Sequence, residues 1–239
     1  ANPAPWITMD MLQSQYRALP LPVFARLHLN LMLAEGVNAR ALHPKAWDLC
    51  SDSPEIDPAL PCIVGVDAAP RRDKTAVVLD QRHPDGSHHV KAWGFEADPE
   101  AGLLDFDELK HLLRELHRTY NVSRIIVDPA HLFAIMDELA REGLPVEDFP
   151  QTASRMVPAS MNLYDLIQLG RIRHGGAPFL SWHVRAAGVK EIPPSGWRIT
   201  KVDDNVDAAV ALAMAVHIAE AEWSLNGPSF AETGGIWTL

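Results

Sequence analysis

The chain has 239 residues, 47% of them hydrophobic and 22% charged, a balance suited to a globular core and unlike a disordered segment. No apolar run approaches the roughly 18 residues that span a bilayer, and the first residues lack the basic, apolar, small-residue order of an export leader. The formal charge of −10 argues against a protein that neutralises phosphates over its whole surface, and Cys50 and Cys62 have no metal-ligand spacing and read as reduced thiols.

In chain order, Met11–Ala18 and then Phe24–Ala34 carry helical apolar patterns, separated by Leu19-Pro-Leu-Pro, with Thr8 or Asp10 as the first cap. Pro54, Pro58 and Pro61 mark a linker, and a boundary near Asp57 divides a helical and loop segment (1–57) from the main domain (58–239). Cys62-Ile-Val-Gly-Val-Asp-Ala is a nearly continuous apolar run, which predicts a central strand. Thr75–Asp80 and His88–Phe95 predict two more strands joined as a hairpin through Pro84-Asp-Gly-Ser. A helix over Leu103–Tyr120, a strand over Val122–Val127, a helix over Leu132–Arg141 and a strand over Leu144–Phe149 follow. Pro158–Leu169 reads as a helix stopped by Gly170, and Asp203–Ala221 as a long closing helix whose inner stripe is Val206, Val210, Ala213 and His217. Antiparallel links followed by alternating helix and strand predict an α/β domain, a mixed sheet with helices on both faces. No Gly-rich triphosphate loop is present.

Three acids fall at informative places: Asp67 ends the first strand, Asp128 the fourth, and Asp207 opens the last helix. Singly, each is ordinary, since acids are common where strands leave a core and where helices begin. If strands one and four are parallel neighbours, the three converge where open sheets gather ligands. Converging carboxylates repel and call for a cation. Hard oxygen donors suit Mg²⁺ or Mn²⁺, and two such ions roughly 3.5–4 Å apart clamp the attacking and leaving oxygens of a phosphodiester.

Along the chain stand Phe24-Ala-Arg-Leu-His-Leu-Asn with Ala46-Trp-Asp, Val64-Gly-Val-Asp-Ala-Ala with Asp73-Lys-Thr-Ala-Val-Val, Ile125-Ile-Val-Asp-Pro, Gln151 with Tyr164–Gly170 and His174, and Asn205-Val-Asp-Ala-Ala-Val-Ala-Leu-Ala-Met-Ala, in that order. In that order the sequence resembles the large terminase subunits of tailed phages over nearly its whole length. The resemblance implies an RNase H-like fold preceded by a helical linker that follows an ATPase domain upstream of Ala1. It also implies two divalent ions and cleavage of concatemeric double-stranded DNA around packaging. Asp67 would be the bridging ligand, Asp128 and Asp207 the others, and a metal-activated water the nucleophile. Expected partners are DNA, a portal protein and a small terminase subunit, at the procapsid portal in the host cytoplasm. The family often has Gly after the third acid, where Ala208 stands here, and Asp203 or Asp204 are alternatives to Asp207 as ligand.

Charge is unevenly spread. Gln151–Lys201 holds seven basic and two acidic residues, a net of +5, leaving −15 for the rest. Candidate phosphate contacts are Arg71, Arg72 and Lys74 beside Asp67, and Arg155, Arg171, Arg173 and Lys201 in the basic stretch. Asp73 reads as a turn residue, His131 as a helix-start surface residue, and His217 as a satisfied core residue. Trp182 and Trp197 read first as packing. Two other readings stay open from the residues alone: another RNase H-like nuclease of resolvase or transposase type, and a docking module on portal or DNA whose acids do no chemistry.

Overall fold

A computed structural model describes residues 7–31, 41, 44–68, 75–96, 104–202 and 205–226. Three helices come first: α1 (Met9–Ala18), α2 (Leu21–Leu29) and α3 (Pro44–Asp48). Thr8 is the α1 cap, its hydroxyl accepting from the Met11 amide at 3.2 Å. Asn30, in the left-handed region, ends α2 earlier than the apolar pattern suggests.

Six strands then build the main sheet: β1 (Cys62–Asp67), β2 (Thr75–Arg82), β3 (His88–Phe95), β4 (Val122–Val127), β5 (Val146–Asp148) and β6 (Ile172–Arg173). Their order is β5-β4-β1-β2-β3-β6. The β1–β2 and β2–β3 pairs are antiparallel, and β1–β4, β4–β5 and β3–β6 are parallel. The β2–β3 turn is the one anticipated: Gly86 takes a positive φ of 80°, and Asp85 accepts from the Ser87 amide at 2.8 Å.

Each strand feeds two cores by alternation. One face buries Val64, Val66, Val77 and Leu79 against α4 (Phe106–Thr119) and α5 (Pro129–Arg141), through Leu109, Leu113, Leu116, Leu132 and Leu139. Full burial of each such side chain contributes roughly 1.5–3 kcal/mol. The other face buries Ile63, Ala76, Val78 and Ile126 beneath α6 (Ala153–Gln168), α7 (Pro178–Ala186) and α8 (Asp207–Asn226). The N-terminal segment joins that core through Trp47, whose ring stacks on His174 at 4.0 Å and whose indole N–H donates to Ser181 Oγ at 3.0 Å. Both cysteines are free and buried.

Several boundaries move for clear reasons. Helix α5 begins at Pro129 because Asp128 caps it and proline is favoured in the first turn. Helix α6 runs through Pro158 rather than starting there, tolerated among buried neighbours such as Met156, Val157 and Ala159. The hairpin β7 (Gly188–Ile192) and β8 (Gly196–Thr200) is a separate two-stranded sheet absent from the sequence expectation, as are α7 and β6. Helix α8 is buried nearly all round, not along one stripe: Ala208–Val216 are buried on every face, between β1 and β2 on one side and α6 and α7 on the other. Among the described residues it is also the one helix long and apolar enough to cross a membrane by length and composition, a correction to the expectation of none; its burial accounts for that composition.

Candidate metal centre

The site is built by strand direction. The parallel register pairs Val66 with Val127, so Asp67 and Asp128 leave the sheet side by side at its carboxyl edge. Helix α8 runs antiparallel to β1: Glu222 near its end pairs with Arg124 at the start of β4, and Glu220 with Arg82 at the end of β2. Its first residue, Asp207, is therefore brought to the same edge. What sets the height of α8 over the sheet is Gly65, where any Cβ would collide with the Ala211 carbonyl oxygen. That contact lies one helical turn from Asp207 and two residues from Asp67. The close backbone approach is thus made at Gly65, and Ala208 is accommodated as a fully buried residue.

Each acid has a defined neighbour. The Gln151 side-chain amide donates to Asp67 Oδ1 at 2.8 Å, fixing the carboxylate from the β5–α6 connection. Asp128 Oδ1 accepts from the Ala130 amide at 3.1 Å as the α5 cap. Asp207 sits at a helix N-terminus, where the macrodipole favours negative charge, with His183 Nδ1 3.9 Å from Oδ2. Among the described residues no three His, Cys, Asp or Glu side chains stand close enough to hold one ion. The acids share an edge without forming a closed cage, as mutual repulsion favours. Asp203 and Asp204, the alternatives to Asp207, lie outside the described residues.

The candidate phosphate contacts divide. Arg155, in the first turn of α6, lies over the Phe149 ring at 5.2 Å and donates to the Asp148 carbonyl at 3.0 Å, at the carboxyl edge. Lys201 bonds Asn205 Oδ1 at 2.8 Å, just ahead of α8. Arg171 and Arg173 are elsewhere. Residue Arg173 pairs with His89, five positions along β3 from Gly94, which aligns with Ala76 and so with Asp67. That is about 17 Å along the strand. Arg173 there bonds the Gly170 and Ile172 carbonyls and pairs with Asp52, and Arg171 covers Gly86. The structure does not bring these two to the acids. Arg71, Arg72, Asp73 and Lys74 lie outside the described residues, as does the side chain of His131. Trp197 is buried and Trp182 exposed. His217 bonds Asn162 at 3.0 Å, and burial pushes its pKa down, a neutral satisfied residue.

Composition and periodicity missed His183 and Arg198. Arg198 Nη1 donates to the Gln151 carbonyl at 3.2 Å, tying the β7–β8 hairpin to the residue that holds Asp67. The alternation Trp197, Ile199 after Ser195-Gly196 was the available signal for that hairpin.

Residues 88–222 match the family described as "Terminase large subunit, endonuclease domain", a span that includes Asp128 and Asp207. The chain belongs to this family. It is 23% identical to the large terminase subunit of Enterobacteria phage HK97 over 92% of this chain, and 24% identical to protein YmfN of Escherichia coli K12 over 81%. The chain spans about half the length of these curated relatives, 50% and 51%. The crystal structure of the HK97 large terminase superposes with a TM-score of 0.69 at 21% identity, covering 88% of this chain and 50% of that one. The nuclease of the large terminase from thermophilic phage G20c gives 0.57 at 16% identity, over 75% and 97%. That nuclease has also been solved with magnesium, cobalt and zinc bound. The terminase nuclease domain seen here thus has the RNase H-like fold that the resemblance implied, built on the mixed sheet anticipated from its strand order.

Proposed function

We propose that this domain is a divalent-metal-dependent endodeoxyribonuclease that cuts concatemeric double-stranded DNA when packaging begins and when it ends. The observation that supports it most is the meeting of Asp67, Asp128 and the Asp207 end of α8 at one sheet edge. Carboxylate oxygens are hard donors, and this donor set fits Mg²⁺ or Mn²⁺. As the resemblance implies, Asp67 would be the ligand shared by two ions, with Asp128 and Asp207 completing the set. Bound there, the ions would activate water and stabilise charge on the phosphate, so no side-chain base is required.

The chain's own residues orient and attract. Gln151 restrains the Asp67 carboxylate, and the α5 amide keeps Asp128 at the strand end. Arg155 and Lys201 place positive charge beside the acids, which counters the overall −10 where DNA would approach. Arg71, Arg72 and Lys74, next to Asp67 in sequence, are assigned the same role. In the whole protein, residues 1–57 would link this domain to an ATPase, with the small terminase subunit and the portal as partners at the procapsid in the host cytoplasm.

The test is supercoiled plasmid incubated with the chain and Mg²⁺ or Mn²⁺, beside EDTA and Asp128→Asn. Asparagine caps helices as well as aspartate, so this variant removes the charge and keeps α5. Nicking and linearisation only in the metal-supplemented wild type is the expected result. Equal cleavage by the variant, or none with either metal, sinks the reading and leaves a docking role on portal or DNA.

A further inference from the structure

The first turn of α8 has an unusual cap. The residue before Asp207 is Val206, whose side chain has no oxygen to accept from the orphan amides of the turn. The Ala209 and Val210 amides go to the Val206 carbonyl, at 2.8 and 3.0 Å. The Ala208 amide goes instead to another helix: it donates to Nδ1 of His183 in α7, at 3.2 Å. Nδ1 of the imidazole is thus the acceptor that the first turn would otherwise lack.

The ring that does this is buried, and the helix that carries it is fixed in turn. His183 is 1% exposed, and its ring packs on Phe179 with centroids 4.5 Å apart. Phe179 in turn fills the space over Gly94 of β3, where a Cβ would collide with its ring. Helix α7 is fixed independently of α8 by the Trp47–Ser181 hydrogen bond. The imidazole therefore refers the first turn of α8 to a rigid part of the fold, at the residue next to Asp207 and 3.9 Å from its carboxylate.

We propose that His183 is the positioning residue for the third acid. It anchors the opening turn of α8, so that Asp207 would be held where ions bound by Asp67 and Asp128 could reach it. This rests on the metal-dependent nuclease reading above and adds a residue to it. Substituting groups that orient metal ligands from behind commonly costs about 10–100-fold in affinity for the ion or in activity.

Two substitutions separate the acceptor from the ring. His183→Phe keeps an aromatic body and removes the acceptor; His183→Asn places an amide oxygen near the Nδ1 position. Two quantities are read against Mn²⁺ concentration: the rise in Tm, which needs no turnover, and plasmid nicking. Metal-free melting monitors folding, with His183→Leu in place of the Phe variant should that not fold. The expected result is that the Phe (or Leu) variant needs about tenfold or more Mn²⁺ for half-maximal effect in both readouts, while Asn recovers most of the loss. Wild-type Mn²⁺ dependence without the acceptor overturns the proposal, as does equal weakening by Phe and Asn, since ring packing would then explain it. If the wild type itself shows neither a Mn²⁺-induced rise in Tm nor nicking, the nuclease reading fails and takes this inference with it.

Discussion

At the far edge of the sheet Asp80 and His88 are fully buried and bonded to each other at 2.9 Å, while Glu220 of α8 meets the other imidazole nitrogen at 3.0 Å and also binds Arg82. At the carboxyl edge, one helix length away, Asp67 is met by a side-chain amide and Asp128 by a backbone N–H. The same helix thus ends in two ways. Near its C-terminus acids and bases satisfy each other and are closed to further partners. Near its N-terminus a side-chain amide and a backbone N–H orient the Asp67 and Asp128 oxygens at the sheet edge. The contrast sets a buried, mutually paired cluster, which belongs to stability, against the edge acids to which the proposed function assigns metal binding.

The largest effect should come from breaking the closed end. Asp80→Asn leaves a buried imidazole facing a neutral amide. Removing one partner of a buried pair costs about 3–5 kcal/mol, and with Glu220 still in place about 3 kcal/mol is expected from denaturant midpoints. Metal-dependent cleavage by the folded variant should be unchanged, because Asp80 is remote from the acids. A loss under about 1 kcal/mol would mean that the pair is not a structural lock.

Gly65→Ala couples the two ends. The added methyl meets backbone rather than a side chain that can turn aside, so α8 must lift from β1. Overpacking of this kind costs about 1–3 kcal/mol. Unlike Asp80→Asn, it should also lower cleavage, because the contact lies one turn from Asp207. Full activity at reduced stability would show that the site tolerates displacement of α8.

pH sharpens the comparison further. For His88, burial opposes charge, but Asp80 and Glu220 outweigh it and hold the pKa up at about 9. A raised pKa means the folded state keeps a proton that the unfolded chain has lost, so this stability is complete below about pH 6.5 and lost as pH rises toward 9. Glu220, hydrogen-bonded to His88 and Arg82 against the effect of burial, is held down at about 2. Its contribution is present above its ordinary range, near 4.5, and lost as pH falls toward 2. The Tm should therefore fall between about pH 7 and 9.5, with His88→Gln flattening that slope. An equal slope in the variant would assign it to other groups.

Much of this contrast was legible in the sequence at one edge and hidden at the other. Strand ends with acids, such as Val66-Asp67 and Val127-Asp128, announce themselves because apolar runs stop there, and parallel pairing then aligns them. The Asp80–His88–Glu220 cluster joins residues from two strands and a helix, so no spacing encodes it. Helix α8 misled for a related reason: alanine-rich sequence lets neighbours approach from every side, and a stripe marks only one. Pro158 looked like a helix start because proline favours first turns, yet neighbouring packing carried α6 through it. His183 was silent because its function depends on an amide supplied by a residue 25 positions away.

The smallest expected effect tests which basic residues belong to the working edge. Arg155 and Lys201 stand there, whereas Arg171 and Arg173 hold the β6 corner through carbonyls, Asp52 and the Gly86 turn. Removing one phosphate-binding side chain should reduce the dependence of log affinity on log salt by about one and weaken binding only a few-fold. Replacing Arg155 and Lys201 together by Ala should therefore flatten the salt dependence of duplex DNA binding by about one to two. Replacing Arg171 and Arg173 should leave that slope alone and lower the Tm instead, because the β6 corner loses its ties. If both pairs flatten the slope equally, DNA spans the sheet from edge to edge, and position relative to the acids does not decide which charges touch it.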